Sequence, residues 1–290
     1  MKESPEDRQP PFGYYPVTPL HRLLLRRIRA CGKGRLGRIT ASAMRRLFIL
    51  THRSVVDAEV DSIRFRFYLD DNVSERRYFF TPEFYDRQEY EFIRRELPVD
   101  GVFFDIGANV GLYSLWAASV LDRRGRVVAM EPNPRALRRL RFNIACNHQE
   151  GLIRVVAMGA SDVAGEFELH LDSTNLGGSS LVSSHPGTGG SIIVACAPLV
   201  DIAGSQGISR IDIMKLDIEG HELPVLKAFF ASAPATLRPR AMIVEQAEEQ
   251  KQQELDQLLA VAGYRLLIRT RMNSIYLSLI SAGRLPSRGS

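Results

Sequence analysis

From about residue 102, short runs of apolar residues alternate with segments in which apolar residues recur at helical spacing. Short runs of consecutive apolar residues are typical of strands that are buried on both faces of a sheet. Such runs occur at residues 102–104, 127–130, 153–157, 211–216 and 241–244. Between the first three runs, apolar residues recur at helical spacing over 112–121 and 134–147. The alternation predicts an α/β domain with a mostly parallel sheet and helices on both faces.

The segments before this alternation predict smaller elements. Residues 62–69 alternate between apolar and polar side chains and predict a strand, whose return strand we place at 77–80. Residues 83–97 predict a helix, because Pro98 would end it. These elements would form a hairpin and one helix ahead of the parallel sheet.

Later segments predict an insertion and the closing edge of the sheet. Alternating residues at 166–171 and 192–196 predict a β-hairpin around a loop rich in glycine and serine. A helix is predicted over 248–262, followed by two closing strands at 264–270 and 274–280. The sheet would then contain seven strands.

Charge sets the N-terminal residues apart from the rest of the chain. Residues 1–50 carry 11 Lys/Arg and 3 Asp/Glu, a net charge of +8, whereas the other 240 residues carry a net charge of −3. Residues 1–19 predict an irregular, proline-rich arm, and residues 20–50 predict two short basic helices separated by glycines. We therefore divide the chain into a basic helical extension at 1–55 and a main domain at 56–290. The extension either packs its leucines on the main domain or makes peripheral contact with an anionic membrane.

Overall composition excludes several classes of protein. With 45% hydrophobic and 24% charged residues, the chain is neither disordered nor collagen-like. Cys31, Cys146 and Cys196 lie far apart, which argues against a disulfide scaffold or a zinc site. No run of about 18 uncharged apolar residues occurs, and the first residues are charged and proline-rich. We expect a cytoplasmic protein without a membrane span or a signal peptide.

A glycine-rich turn follows the first strand of the predicted parallel sheet. The pattern Asp-x-Gly-x-x-x-Gly contains Asp105, Gly107, Ala108, Asn109 and Gly111. Sheets of this kind bind ligands at the carboxyl ends of their strands, where glycine lets the backbone approach the ligand. An acid inside the turn would repel a pyrophosphate, but it can pair with the ammonium group of S-adenosylmethionine. The sequence therefore predicts a site for this cofactor.

Polar residues after the next two strands extend the predicted cofactor site. Glu131, followed by Pro132 and Asn133, lies 20 residues beyond Gly111, and a carboxylate at this spacing accepts hydrogen bonds from ribose hydroxyls. Ser161 and Asp162 follow the third strand, where Asp162 would contact the adenine edge.

The sequence resembles the FkbM-type S-adenosylmethionine-dependent methyltransferases over about residues 80–280. The resemblance is carried by residues 105–111, 131–133, 143, 160–162 and 215–222. It implies a class I methyltransferase (Rossmann-like) fold with a seven-stranded, mostly parallel sheet. It also implies S-adenosylmethionine as cofactor and methyl transfer to a hydroxyl of a sugar, glycolipid or polyketide-type molecule. Val200 stands where the family tends to have an acid, so any role for that acid is in doubt here.

A second polar cluster follows the fourth and fifth strands. Asp217 and His221 come after one predicted strand, and Glu245 ends the next. Because the carboxyl ends of parallel strands share one rim, we expect these three residues to form the catalytic group. A carboxylate or imidazole there would remove the proton of an acceptor hydroxyl. Asp217, Glu245 and Gln246 would also suit a divalent metal, but we assign none.

The sequence leaves other functions open. A nicotinamide dehydrogenase would need a third glycine that the turn lacks, and a non-catalytic module would not need the cofactor motifs. A nucleic-acid methyltransferase would use the basic extension as a phosphate-binding arm. We expect a small-molecule hydroxyl acceptor and no nucleic-acid partner. Neither the acceptor's identity nor the oligomeric state follows from the sequence.

Overall fold

The computed structural model describes residues 9–31, 34–181 and 189–279. Parts of the predicted N-terminal arm, the glycine separator, the insertion loop and the C-terminal tail lie outside these residues. The helices, in chain order, are α1 (Pro19–Ala30), α2 (Arg35–Thr51), α3 (Val73–Phe80), α4 (Arg87–Glu96), α5 (Leu112–Val120), α6 (Pro134–Cys146), α7 (Leu199–Ser205), α8 (Glu222–Ser232) and α9 (Glu249–Val261). The strands are β1 (Val55–Val60), β2 (Ile63–Tyr68), β3 (Val102–Ile106), β4 (Arg126–Met130), β5 (Ile153–Val156), β6 (Gly159–Ala160), β7 (Gly165–His170), β8 (Ser191–Ala197), β9 (Ile213–Leu216), β10 (Ala241–Glu245), β11 (Tyr264–Arg269) and β12 (Asn273–Ser278).

Seven strands form the main sheet in the order β11-β12-β10-β9-β3-β4-β5. The pairs from β10 to β5 are parallel, and β12 lies antiparallel between β10 and β11. The predicted class I methyltransferase fold is confirmed by this order and orientation. Chain order reverses at β3, which lies between β4 and β9, and ligands of open α/β sheets bind outside the carboxyl ends at such a point.

Helices cover both faces of the sheet, as predicted. Successive side chains of β3 point to opposite faces, so Phe103 packs in one core and Phe104 and Ile106 pack in the other. Residues of α5 and α6 fill the first core, and residues of α7, α8 and α9 fill the second. The two cores fix the carboxyl ends of β3, β4, β9 and β10 along one rim.

The predicted hairpin insertion is confirmed. β7 and β8 pair antiparallel from Gly165↔Cys196 to His170↔Ser191. The short strand β6 adds to β8 in parallel and makes a separate three-stranded sheet. This small sheet connects the end of β5 to α7.

The predicted return strand at 77–80 is wrong, because these residues belong to α3. The partner of β2 is β1, which precedes it, and Asp61 and Ser62 form the tight turn with positive φ angles of 50° and 64°. Asn72 caps α3 by accepting a hydrogen bond from the Glu75 backbone N–H at 3.1 Å. Tyr78, Phe79 and Phe80 are all buried, although they lie on different sides of this helix. A run of consecutive buried aromatic residues is also typical of a strand, which explains the wrong prediction.

The helix predicted at 83–97 is shorter in the structure. A 3₁₀ turn at Pro82–Phe84 precedes it, and α4 begins only at Arg87. Asp86 lies between the two in the left-handed region, with φ 41°, which a continuous helix does not allow. The Asp86 carboxylate makes no capping hydrogen bond to α4.

The two predicted N-terminal helices are present as α1 and α2, and one side of the pair packs on the main domain. Phe48 is fully buried and contacts Phe79 and Phe80 with ring centroids 5.5 and 5.3 Å apart. Arg29 Nη2 donates to the Phe79 carbonyl at 2.7 Å. Across the described residues, no helix combines the length and the apolar character that crossing a bilayer requires.

Candidate active site

One cavity opens at the carboxyl ends of β3, β4, β9 and β10. The turn after β3 contributes Gly107 and Asn109, and Glu131 and Pro132 follow β4. Three acids, Asp217, Glu219 and Glu245, lie at the ends of β9 and β10. The remaining walls come from outside the main sheet and include Val73, Ser74, Arg77, Tyr85, Asp86, Leu176, Gly177, Met272 and Asn273.

The glycine turn lies against the end of β9. A Cβ atom at Gly107 would lie 1.8 Å from the Asp217 carbonyl oxygen, so no other residue fits at this position without backbone movement. Gly107 also has a φ of +81°, which favours glycine. Its N–H and that of Ala108 donate to the Met130 carbonyl at 3.0 and 2.8 Å. These contacts fix the turn between the ends of β4 and β9.

Glu131 lies on the cavity wall and accepts two backbone hydrogen bonds. Its Oε2 accepts from the Asn109 N–H and its Oε1 from the Asn133 N–H, both at 2.8 Å. Burial nevertheless raises the pKa of Glu131 to about 7. Each oxygen keeps lone pairs that can accept from a ribose diol. Asn133 itself caps α6, and its Nδ2 donates to Ser179 Oγ at 3.1 Å.

Several predicted cofactor residues do not line the cavity. Asp105 is fully buried, accepts a hydrogen bond from Ser114 Oγ at 2.5 Å, and its Oδ1 has no partner among the described residues. Ser161 is buried and Asp162 is exposed, and Ser161 Oγ donates to Asp162 at 3.1 Å. The cavity wall after β5 is made instead by Met158, Gly159 and Ala160. Three further predicted residues do not line the cavity but stabilise its frame. The Ala108 N–H donates to the Met130 carbonyl, Gly111 lies against Leu140 of α6, and Asn133 caps α6.

Asp217 and Glu245 form a proton-sharing pair beside a buried lysine. Lys215 Nζ lies 2.9 Å from Asp217 Oδ2 and 4.6 Å from the centroid of the Tyr113 ring. Burial and the Asp217 charge raise the pKa of Glu245 to about 10, so Glu245 is protonated at neutral pH. Burial opposes ionisation of Asp217 as well, but Lys215 and the hydrogen bond with Glu245 hold its pKa below the usual value. The pair therefore carries one proton and one negative charge.

Glu219 completes a group of three carboxylates whose oxygen atoms lie within 4.8 Å of one another. Burial, followed by the Asp217 charge, raises the pKa of Glu219 to about 7. Such oxygen ligands are those that Mg²⁺ prefers. A metal ion at this group would compete with Lys215, which already contacts one Asp217 oxygen at 2.9 Å.

His221 lies outside this group. It is the N-cap residue of α8, and the cavity is lined without it. Its Nε2 is buried without a hydrogen-bond partner in the described parts of the chain, and burial lowers its pKa. Glu222, one residue further, accepts from the Ile218 N–H at 2.9 Å and steadies the first turn of α8. The structure thus brings Asp217 and Glu245 together and leaves His221 apart.

Residues that the sequence did not indicate form a further wall of the cavity. Asp86 accepts a hydrogen bond from the Tyr113 hydroxyl at 2.9 Å, and burial raises its pKa to about 6. Tyr85 lies beside it, and the Arg77 guanidinium lies 5.7 Å from the centroid of the Tyr85 ring. Among the described residues, no carboxylate oxygen comes within 4.0 Å of Arg77. This wall therefore presents to the cavity an arginine with no carboxylate within 4.0 Å among the described residues, although the Asp86 charge acts on it over a longer distance.

Comparison with known proteins adds a family match. A family model described as "Methyltransferase FkbM domain" matches residues 105–266. The chain is 29% identical over 144 residues to a hexuronic acid methyltransferase of Haloferax volcanii, covering 49% of this chain and 56% of that protein. It is 28% identical over 186 residues to a 31-O-demethyl-FK506 methyltransferase of Streptomyces tacrolimicus, covering 53% of this chain and 69% of that protein. A crystal structure of a methyltransferase FkbM from Methylobacillus flagellatus is 16% identical with a TM-score of 0.43, covering 71% of this chain and 55% of that one.

Proposed function

This chain belongs to the FkbM methyltransferase family, and from that premise we propose that it methylates a hydroxyl of a sugar, glycolipid or polyketide-type small molecule, with S-adenosylmethionine as methyl donor. The observation that carries the proposal is the sharing of one cavity by Glu131 and the Asp217–Glu245 pair. A group suited to a ribose and a group suited to proton removal thus face the same space.

The cofactor half of the cavity is formed by the turns after β3, β4 and β5. When bound, S-adenosylmethionine supplies an electrophilic methyl group on a sulfonium. Glu131 is held by two backbone N–H groups, so its carboxylate is oriented before any ligand arrives. Met158 and Pro132 offer apolar contacts for the adenine ring of the cofactor. Gly107 lets the backbone of the turn approach the ligand.

The acceptor half contains the base. The Asp217–Glu245 pair carries one negative charge and can accept the proton that an acceptor hydroxyl loses as it is methylated. Lys215 keeps Asp217 ionised and fixes its position through the 2.9 Å contact. Alignment of the acceptor oxygen with the methyl group and the sulfur would supply much of the remaining rate.

Arg77 favours an acceptor that carries a carboxylate. An arginine on a cavity wall without an ion-pair partner among the described residues can bind a carboxylate through two parallel hydrogen bonds. Asp86, beside it, has a pKa near 6 and would accept from a sugar hydroxyl. One similar protein is named for a hexuronic acid, which supports an acidic sugar as the acceptor.

The test compares two sugars that differ in one carboxylate. The full-length protein is incubated with labelled S-adenosylmethionine and either p-nitrophenyl β-D-glucuronide or p-nitrophenyl β-D-glucoside. We expect methyl transfer to the glucuronide with the lower KM, and a product that survives mild alkali, as an ether does and an ester does not. Arg77→Gln should raise the KM for the glucuronide by about 10-fold or more, the value of a charge-assisted hydrogen bond.

Two results would count against the proposal. An alkali-labile product would place the methyl group on the carboxylate and remove the need for a hydroxyl base. Equal KM values for the two sugars, unchanged by Arg77→Gln, would show that Arg77 does not bind the acceptor. Arg123→Gln, at an exposed arginine after α5, is the matched control and should change neither KM.

A further inference from the structure

The helices α1 and α2 form an antiparallel pair with one buried face. His21 Nε2 lies 3.0 Å from Thr51 Oγ1 at one end of the pair, and Cys31 Sγ lies 3.7 Å from Thr40 Oγ1 at the other. Phe48 and Ile28 are buried against the main domain. These contacts fix both helices, so their opposite sides must face outward.

The outward side of this pair is unusually apolar for a surface exposed to water. Five large apolar side chains are at least half exposed: Leu20 71%, Leu23 54%, Ile39 58%, Leu47 51% and Leu50 82%. On α2, Ile39, Leu47 and Leu50 are spaced by eight and three residues, which places them on one stripe of the helix. We call these five residues the apolar surface of the pair. Exposed apolar side chains concentrated on one pair of helices are typical of interaction sites.

The charge around the apolar surface is of one sign. Residues 20–50 carry nine Lys/Arg and no Asp/Glu. Arg29 and Arg45 point toward α3, where Arg45 lies 5.9 Å from the centroid of the Phe80 ring. Arg26 and Arg27 are exposed beside Leu23. Glu83 and Asp61 of the main domain act on Arg29 and Arg45, whereas Arg26 and Arg27 lie exposed on the side that carries the leucines.

We propose that the apolar surface and its arginines dock on an anionic lipid bilayer. Helices with apolar residues on one side and Lys/Arg around them lie in the interface plane of such membranes. A second copy of this chain would bring two strongly positive surfaces together, which opposes self-association. A nucleic acid would attract the arginines but would not require five exposed apolar side chains.

The helix pair packs on α3, which also forms part of the acceptor wall. Val73, Ser74 and Arg77 of α3 line the cavity, whereas Phe79 and Phe80 of the same helix pack on Phe48 of α2. A bilayer bound to the outward side of α1 and α2 would therefore be separated from the acceptor half by this helix pair and by α3. This consequence rests on the proposed function, whereas bilayer binding itself does not depend on it.

The experiment is vesicle sedimentation with the full-length protein. Vesicles of phosphatidylcholine alone are compared with vesicles that also contain phosphatidylserine, at low and high salt. We expect the protein to sediment with the anionic vesicles and to be released by high salt, because exposed charges are screened. Arg26→Gln/Arg27→Gln should weaken the partition about 10-fold or more. Leu47→Ser/Leu50→Ser should also weaken the partition, and the remaining binding should still be released by high salt.

Matched controls and a folding check make the result decisive. Arg123→Gln/Arg126→Gln removes two exposed arginines of the main domain, and Val261→Ser removes an apolar side chain of α9 that is 89% exposed. These variants should bind vesicles as the parent protein does. All variants should keep S-adenosylhomocysteine binding, which is measured separately by calorimetry.

Several outcomes would overturn the proposal. The first is no sedimentation with anionic vesicles, and the second is equal loss in the control variants. Concentration-dependent dimerisation that Leu47→Ser/Leu50→Ser abolishes, without vesicle binding, would assign the surface to a second copy. Salt-sensitive binding of an RNA oligonucleotide without vesicle binding would assign it to nucleic acid. None of these outcomes bears on methyl transfer, so a failed docking proposal is distinguishable from a failed function.

Discussion

At the scale of single residues, the charge balance around Asp217 decides how a proton can be removed in this cavity. Lys215 is 2% exposed and contacts Asp217, and Asp105 also stabilises its charge through space. Replacement of Asp217 therefore leaves Lys215 with a second carboxylate nearby, so the fold should tolerate the change. Burial is the main cause of the raised pKa of Glu245, and the Asp217 charge raises it further.

We predict that Asp217→Asn lowers turnover by about 100-fold or more and leaves cofactor affinity nearly unchanged, because general bases contribute on this scale. The shape of the side chain is kept, and only its charge and basicity are lost. Turnover is measured on an identified acceptor and affinity by calorimetry. Asp122→Asn, at a surface carboxylate paired with Arg124, is the control. If Asp217→Asn turns over as fast as the parent protein, Asp217 is not the general base and has only a structural role.

Glu131 gives a prediction about pH. Its pKa of about 7 means that the free protein gains the carboxylate charge as the pH rises through neutrality. Ribose hydroxyls bind the ionised form better, so S-adenosylhomocysteine affinity should increase between about pH 6 and pH 8. Glu131→Ala should weaken binding about 10-fold or more and reduce the pH dependence. Glu150→Ala, at an exposed acid, should do neither, and an unchanged pH profile in Glu131→Ala would refute the assignment.

The sequence indicated some of these residues and not others, for a physical reason. Glu131, Asp217 and Glu245 end buried strands, so the strand pattern alone places them on one rim. Lys215 lies inside an apolar strand, and a lysine buried there needs a charged partner. Arg77 and Asp86 lie on segments whose position follows from tertiary packing. His221 and Asp162 were expected at the site because each comes after a strand of the parallel sheet, yet neither lines the cavity.

At the scale of elements, α3 shows where pattern reasoning fails. Its aromatic run is buried between β2 and the N-terminal helices, so it has neither helical nor strand periodicity. The parallel sheet could be predicted because its strands are buried on both faces and its helices on one. Where a short helix is covered on several sides, tertiary packing overrides the local pattern. Asn72 was the one local signal for this helix, since an asparagine commonly begins one.

We predict that Asn72→Ala destabilises the protein by about 1–2 kcal/mol, the usual cost of losing a helix cap. Asn72 is fully buried, and its Nδ2 also donates to Asn109 Oδ1 in the glycine turn at 3.1 Å. The substitution should therefore also raise the KM for the acceptor, because α3 carries Ser74 and Arg77. Urea unfolding and steady-state kinetics measure the two effects. Asn72→Ser keeps a capping oxygen and should recover most of the stability, and equal loss in both variants would contradict the capping role.

At the scale of the whole molecule, the question is whether the N-terminal helices belong to the main fold. The sequence places the boundary near residue 55 because charge and composition change there. The structure shows packing across that boundary, with Val17, Ile28 and Phe48 in the same core as Phe79 and Phe103. Asp57, on β1, accepts hydrogen bonds from the Gly13 and Tyr15 N–H groups at 2.8 and 3.1 Å. Charge patterning alone does not reveal such contacts.

We predict that Phe48→Ala lowers the stability of the entire protein by about 3–5 kcal/mol, because a fully buried ring is removed from a shared core. Unfolding followed by tryptophan fluorescence should remain a single transition that shifts to lower urea, since Trp116 lies in that core. Leu50→Ala, on the same helix but 82% exposed, should leave the transition in place. An independent extension would behave differently: Phe48→Ala would then add an early transition in circular dichroism and leave the Trp116 signal unmoved. That result would restore a domain boundary at residue 55.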